Sequence, residues 1–368
     1  MSSDAKPAAR NAARALVDQL IVQRVDQVFC VPGESYLPVL DALSDSGIAV
    51  TLCRQEGGAA MMAEAYGKAT GRPGICFVTR APGATNAAAG IHVAQQDSTP
   101  LILFAGQVER RFLGRDAVQE LNYAAVFGTM SKWAAQIDDA AQVPALVARA
   151  FATAMAERPG PVVLALPRDM LAEPAGGPDA AFVEAAEIAP AQKDIAALEE
   201  MLAGAKRPFL ILGGGRWDEE ATGQIADFAE RFALPVATAY RRAPLFDQTR
   251  PNYAGDLGLF ANPKLVARIK NSDLVIAAGA RLNQTTTQDY TLFDGSQALV
   301  HAYPDGKELN RVFHTALAIQ ASPRAFAAAL HRLTPRTPPA WSQETAAANA
   351  EYHAFSDQPL PQPGEMNL

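Results

Sequence analysis

The sequence predicts an α/β fold of two doubly wound, mainly parallel-sheet domains, each a three-layer sandwich. Short apolar runs alternate with Ala-rich amphipathic stretches from end to end, which is the pattern of strand-helix-strand units. A Pro/Gly-rich break divides them, and 368 residues suit two cores better than one.

In the first half, strands are expected at 27–31, 49–53, 74–79, 101–105 and 162–166, where apolar and β-branched residues cluster. Helical periodicity fills the intervals at 11–23, 38–46, 58–70, 86–95 and 143–156. Gly71-Arg72-Pro73 stops one helix by supplying a C-terminal glycine and then a proline. Between about 171 and 192 the text turns to Pro, Gly, Ala and acidic residues, which reads as a linker. A second set follows, with strands near 209–213, 236–239, 274–278 and 299–301, and helices near 195–203, 219–232, 263–271 and 323–333. Beyond Leu333 prolines interrupt, one weak helix is expected, and Pro359–Pro363 opens another linker. The expected divisions are a disordered 1–10, a first domain at 11–172, a linker at 173–190, a second domain at 191–334 and a tail at 335–368.

Net charge is −7 with scattered Lys and Arg, so no basic face awaits a nucleic acid. The longest apolar runs are strand-sized, far below the ~20 residues that cross a bilayer. Residues 1–10 carry no apolar stretch of a secretory signal, and the cytoplasm is the expected setting. Cys30, Cys53 and Cys76 lie in or beside apolar runs with no Cys-x-x-Cys spacing, and the five histidines show no ligand spacing. Buried free thiols and no bound metal are expected.

The chemistry concentrates where strands run into helices. Glu56, in Arg54-Gln55-Glu56-Gly57-Gly58, follows a strand and opens a helix, the place where open α/β sheets hold ligands. Two glycines let a ligand approach, and the helix start favours a carboxylate. By itself this pattern reads first as a serviceable turn. Two further strand-end loops add weight: Val31-Pro32-Gly33-Glu34-Ser35, and Thr79-Arg80-Ala81-Pro82-Gly83-Ala84-Thr85-Asn86 with Asn86 as a candidate cap. Three such loops on one sheet edge make a site.

These loops, in this order, resemble the pyrimidine-binding domain of the acetolactate synthase family of thiamine-diphosphate enzymes. The likeness continues through Asp97-Ser98-Thr99-Pro100, Gly106-Gln107-Val108, Asp116-Ala117-Val118-Gln119-Glu120, Ser131-Lys132 and Arg158-Pro159-Gly160-Pro161-Val162, and covers residues 11 to 330. The resemblance implies that Glu56 hydrogen-bonds N1′ of the cofactor's aminopyrimidine and drives loss of the proton from C2 of the thiazolium. It implies a cofactor-binding role for Pro32, Gly33, Glu34, Pro82 and Asn86, and places Gln119 on the substrate side. The implied reaction is decarboxylation of a 2-oxo acid followed by addition to a second carbonyl compound. Ala81 and Val118 depart from the glycine and aromatic that relatives carry, which leaves substrate preference open.

The second half is similar to the family's middle domain, in which some relatives hold FAD. Gly213, Gly214 and Arg281 are the candidate nucleotide contacts, yet the Rossmann fingerprint is incomplete and the Phe-Asp-Asp that follows the arginine in flavin-binding members is absent. A domain without FAD is expected. The family's Gly-Asp-Gly, which with later asparagines holds Mg²⁺ and diphosphate, does not occur in these 368 residues. The expectation is therefore a chain that binds only the pyrimidine half, with Mg²⁺ entering with a further domain. Three readings stay open: an enzyme whose last domain lies on a separate polypeptide, a decayed enzyme, and a non-catalytic partner of intact relatives; the resemblance also implies a homo-oligomer (dimer or tetramer).

Overall fold

The computed structural model describes residues 10–357. The chain divides into two compact units between Ala186 and Glu187. Each holds one sheet of six parallel strands with helices on both faces, the α/β class that the alternation predicts.

Unit 1 runs α1 (Ala12–Val22), β1 (Gln27–Cys30), α2 (Leu37–Ser44), β2 (Ala49–Leu52), α3 (Glu56–Thr70), β3 (Gly74–Val78), α4 (Ala81–Asp97), β4 (Leu101–Gln107), α5 (Tyr123–Phe127), β5 (Trp133–Gln136), α6 (Val143–Met155), β6 (Pro161–Pro167) and α7 (Arg168–Ala172). The strand order is β2-β1-β3-β4-β6-β5. The chain reverses its direction of travel across the sheet between β1 and β3, which makes their carboxyl ends a natural binding edge. β3, β4 and β6 are buried throughout, and this explains their unbroken apolar runs. One core lies beneath α1, α2 and α6, and a second beneath α3, α4 and α5.

The second core is rich in alanine where α3 and α4 meet. A Cβ on Gly90 of α4 would stand 2.5 Å from Ala60 Cβ and 2.8 Å from the Ala60 carbonyl carbon, so α3 and α4 touch nearly backbone to backbone. Beside them Lys68 Nζ bridges Glu64 at 2.9 Å and Asp97 at 2.5 Å, and the Thr99 hydroxyl donates to Glu64 at 2.8 Å.

The structure corrects several boundaries. α4 starts at Ala81, not at residue 86, because Pro82 occupies the first turn, where its missing N–H costs nothing. Asn86 is therefore no cap. β5 and α5 were not expected, since β5 is a four-residue edge strand of half-buried residues without alternation. The residues expected to form a linker are partly docked: Ala12 N–H donates to Glu173 O, Ala175 N–H donates to Arg10 O, and Gln19 and Gln23 of α1 exchange paired hydrogen bonds with the backbone at 180–183.

Unit 2 runs α8 (Gln192–Gly204), β7 (Pro208–Leu212), α9 (Glu219–Arg231), β8 (Val236–Ala239), β9 (Tyr253–Leu257), α10 (Pro263–Lys270), β10 (Leu274–Ala278), β11 (Ala298–Tyr303), β12 (Leu317–Gln320), α11 (Pro323–His331) and α12 (Ser342–Ser356). Its order, β12-β11-β10-β7-β8-β9, is the 3-2-1-4-5-6 arrangement of dinucleotide-binding sheets, with the switch point between β7 and β10. β9 and β12 escape the sequence pattern for the same reason as β5: both are short edge strands. The helix expected to be weak is α12, which lies against β9 and α10 and is anchored by buried Trp341, whose indole N–H donates to Phe232 O at 2.9 Å. Glu187 belongs to this unit, paired with Arg216 at 2.5 Å. Residues 1–9 and the linker expected from Pro359 lie outside the described residues. Among the described residues no helix is long and apolar enough to cross a membrane.

Candidate cofactor site

Glu56 is the first residue of α3, directly after the turn that leaves β2. The Gln55 side chain caps the helix by accepting from Gly58 N–H at 2.7 Å, which fixes the turn on which Glu56 stands. Its carboxylate is half-buried. One oxygen, Oε2, accepts from Asn86 Nδ2 at 3.0 Å across thirty residues of sequence. The other, Oε1, has no hydrogen-bond partner among the described residues. A Cβ on Gly83 would come within 3.5 Å of Oε1, so glycine at 83 keeps the approach to that oxygen clear.

The two loops at the switch point interlock. A Cβ on Gly33 would fall 2.6 Å from Thr79 Cβ, an overlap that only glycine avoids. The Ser35 and Thr79 hydroxyls meet at 2.9 Å, and Glu34 pairs with Arg80 at 3.3 Å. Arg80 is largely buried while Glu34 is half-exposed, so the pair roots the surface carboxylate in the rim. Sequence reasoning gave Arg80, Ser35 and Thr79 no role, although a buried cation at a strand end carries a signal of its own. Pro32 sits between these anchors and β1.

Gln119 reaches the same edge through its backbone, where its carbonyl accepts from Ala81 N–H at 3.3 Å, and its side chain is exposed. It holds φ at 66°, and Asp116 holds φ at 59°, both in the left-handed region that non-glycine residues seldom enter. Pro32, Gly33, Glu34, Glu56, Pro82 and Gln119 thus fall on loops or first turns at one edge of one sheet, and Asn86 joins Glu56 there from the second turn of α4.

Below this edge Cys30 and Cys76 are buried in the two cores. Burial, then the neighbouring Cys53, pushes the Cys30 thiol up to about 11, and burial raises Cys76 further. Both are protonated thiols at neutral pH and behave as core residues.

In unit 2 the switch-point loops press together. A Cβ on Gly214, where φ is 73°, would lie 2.1 Å from Gly279 O, and one on Gly213 would lie 2.7 Å from Ala280 Cα. Arg281 Nε stands 3.5 Å from Glu308, a buried carboxylate that also holds Arg311 at 2.8 Å. Gly213, Gly214 and Arg281 lie in unit 2 and form no part of the edge that carries Glu56.

Comparison with known proteins agrees with this architecture. The model of the thiamine pyrophosphate enzyme N-terminal TPP-binding domain matches residues 10–126, and that of the thiamine pyrophosphate enzyme central domain matches 195–330. The chain is 32% identical to the acetolactate synthase isozyme 2 large subunit of Escherichia coli over 95% of this chain and 63% of that protein. It is 31% identical to the acetolactate synthase large subunit of Corynebacterium glutamicum over 90% of this chain and 54% of the relative. For the mitochondrial acetolactate synthase catalytic subunit of Saccharomyces cerevisiae the identity is 30%, over 81% and 47%. The chain thus spans between about half and just under two thirds of the length of these relatives. With both domain models matched in order, one in each unit, the chain belongs to the thiamine pyrophosphate enzymes.

Proposed function

We propose that this chain supplies the pyrimidine half of a thiamine-diphosphate site for decarboxylation and carboligation of 2-oxo acids, in the manner of acetolactate synthases. The observation that carries the reading is the Glu56 carboxylate, held by Asn86 on one oxygen and open on the other beside Gly83. This arrangement suits a ring nitrogen that must share a proton with Oε1. Thiamine diphosphate, when bound, supplies the carbon nucleophile for the 2-oxo acid and the electron sink for the departure of carbon dioxide.

The chain's own residues orient and hold protons. Glu56 Oε1 shares the proton at N1′ of the aminopyrimidine, and Asn86 stops the carboxylate from rotating away. Pro32 and Gly33 form a wall against which a flat ring can lie, with Glu34 anchored by Arg80. Pro82 fixes the first turn of α4, and Gln119 offers an exposed amide to the substrate. The diphosphate and Mg²⁺ would be held by a diphosphate-binding domain, of which these 368 residues carry no Gly-Asp-Gly, brought to Glu56 by a partner polypeptide. We read unit 2 as a structural domain without flavin, supported by the touching backbones at its switch point and by the Arg281–Glu308 pair. The proposed setting is the cytoplasm, in keeping with three unpaired thiols.

The decisive measurement is exchange of the C2 proton of thiamine diphosphate, followed by NMR with the chain assembled with a diphosphate-binding domain of an acetolactate synthase. Glu56→Gln should slow exchange by about 10²- to 10⁴-fold. An unchanged rate removes Glu56 from the mechanism. No exchange even with the unsubstituted chain favours instead a non-catalytic partner of intact relatives.

A further inference from the structure

We propose that unit 2 carries a second small-molecule site, on the amino edge of its sheet, which takes a small organic carboxylate with a flat apolar body. A cavity of about 330 Å³ opens there, at the lower end of the range usual for small-molecule sites. Pro208 begins β7 and Pro235 immediately precedes β8, so the cavity sits at the strands' starts. Gly213 and Gly214 lie at the other end of β7, five residues or ~16 Å away, and this site is separate from the switch point.

The lining explains both halves of the ligand. Proline at the two strand starts removes N–H groups that would otherwise need partners at this edge, and leaves apolar ring walls. Trp341 adds an aromatic surface whose only donor is already occupied by Phe232 O. An apolar, flat body loses little by leaving water for such walls.

Charge selects the other half. Three cations and two carboxylates border the cavity, but they are not equivalent. Arg268 is neutralised, with Nη1 on Glu344 at 2.5 Å and Nη2 on Glu351 at 2.9 Å. That pairing engages both carboxylates. Arg207 and Lys264 remain on the exposed rim, and neither side chain pairs with a carboxylate among the described residues; Arg207 N–H donates to Asp273 Oδ1 at 2.8 Å and its Nε to Asn271 O at 2.8 Å, which leaves its terminal nitrogens for a ligand. Two cations welcome a single carboxylate in bidentate fashion. A polyanion such as a diphosphate fits less well, because Glu344 and Glu351 stand within the same lining.

The test is calorimetric titration of the full chain with phenylacetate and with its uncharged analogue, phenylacetamide. Phenylacetate should saturate one site per chain, and the amide should bind at least about tenfold more weakly. The double variant Arg207→Gln/Lys264→Gln should weaken phenylacetate by about tenfold or more. Ala267→Leu, on an exposed helix position, fills the cavity without touching a charge and should weaken both probes alike. Circular dichroism melts check that the variants fold, which the exposure of all three positions favours. The proposal is overturned by phenylacetamide binding as tightly as phenylacetate, by full binding to either variant, or by no saturation up to about 10 mM.

Discussion

Asn86 shows what one amide can do for a carboxylate. It donates to Glu56 Oε2 at 3.0 Å and so leaves one defined oxygen for the ring nitrogen. Asn86→Ala should retain the fold, because residue 86 is exposed, and should lower C2 proton exchange by about tenfold, less than loss of Glu56 itself. Asn86→Asp should act differently. A second carboxylate at that distance disfavours ionised Glu56, so the acid limb of the kcat/KM profile should move to higher pH. An unmoved limb would mean that the two groups are not coupled. Glu56 was legible in the sequence as an acid at a helix start between a strand and two glycines. Its partner was not, because no local pattern pairs residues thirty positions apart, and Asn86 read more naturally as a cap on a helix that in fact begins five residues earlier.

At the scale of elements, the α3–α4 contact decides how closely the Glu56 helix and the Asn86 helix approach. Gly90→Ala removes a residue that is poor in helices, which by itself would stabilise α4 by about 0.5–1 kcal/mol. The added methyl, however, lands 2.8 Å from the Ala60 carbonyl carbon, and backbone cannot rotate aside. Overpacking of about 1–3 kcal/mol should win, and the urea midpoint should fall. A raised midpoint would show that the helices separate at little cost. The central strands were legible because burial on both faces writes long apolar runs. The edge strands β5, β9 and β12 were not. Trp133–Gln136 is half-buried throughout, so it shows neither alternation nor a continuous run. The close α3–α4 packing was hidden as well: Ala and Gly at helical spacing give a weak amphipathic signal, though they let the two helices approach until a Cβ on Gly90 would stand 2.5 Å from Ala60 Cβ.

At the scale of the molecule, each unit has its own sheet and cores, and each has its own response to conditions. In unit 2 burial holds His301 neutral below its ordinary range, although its Nε2 contact with Ala280 O works in the opposite direction. Unfolding restores the usual value near 6.5, so the unfolded chain binds more protons below that pH. This contribution is complete above about pH 6.5 and is lost as the pH falls towards the folded value. Thermal midpoints should therefore decline from pH 7.5 to 5.5, and less steeply in His301→Gln. Equal slopes would remove His301 as a source of acid sensitivity. In unit 1 the relevant feature is connectivity. β6 lies between β4 and β5, and residues 173–175 close on residues 10–12. Growth of the chain on the ribosome follows a different order from the sheet. A nascent chain that ends at residue 160 has β4 and β5 but not the strand they share, and should be cut readily by trypsin, whereas a chain that ends at 186 should resist. Unit 1 is thus completed from its far end, and the start of its first helix, at residues 10–12, depends on residues 173–175 to hold it in place.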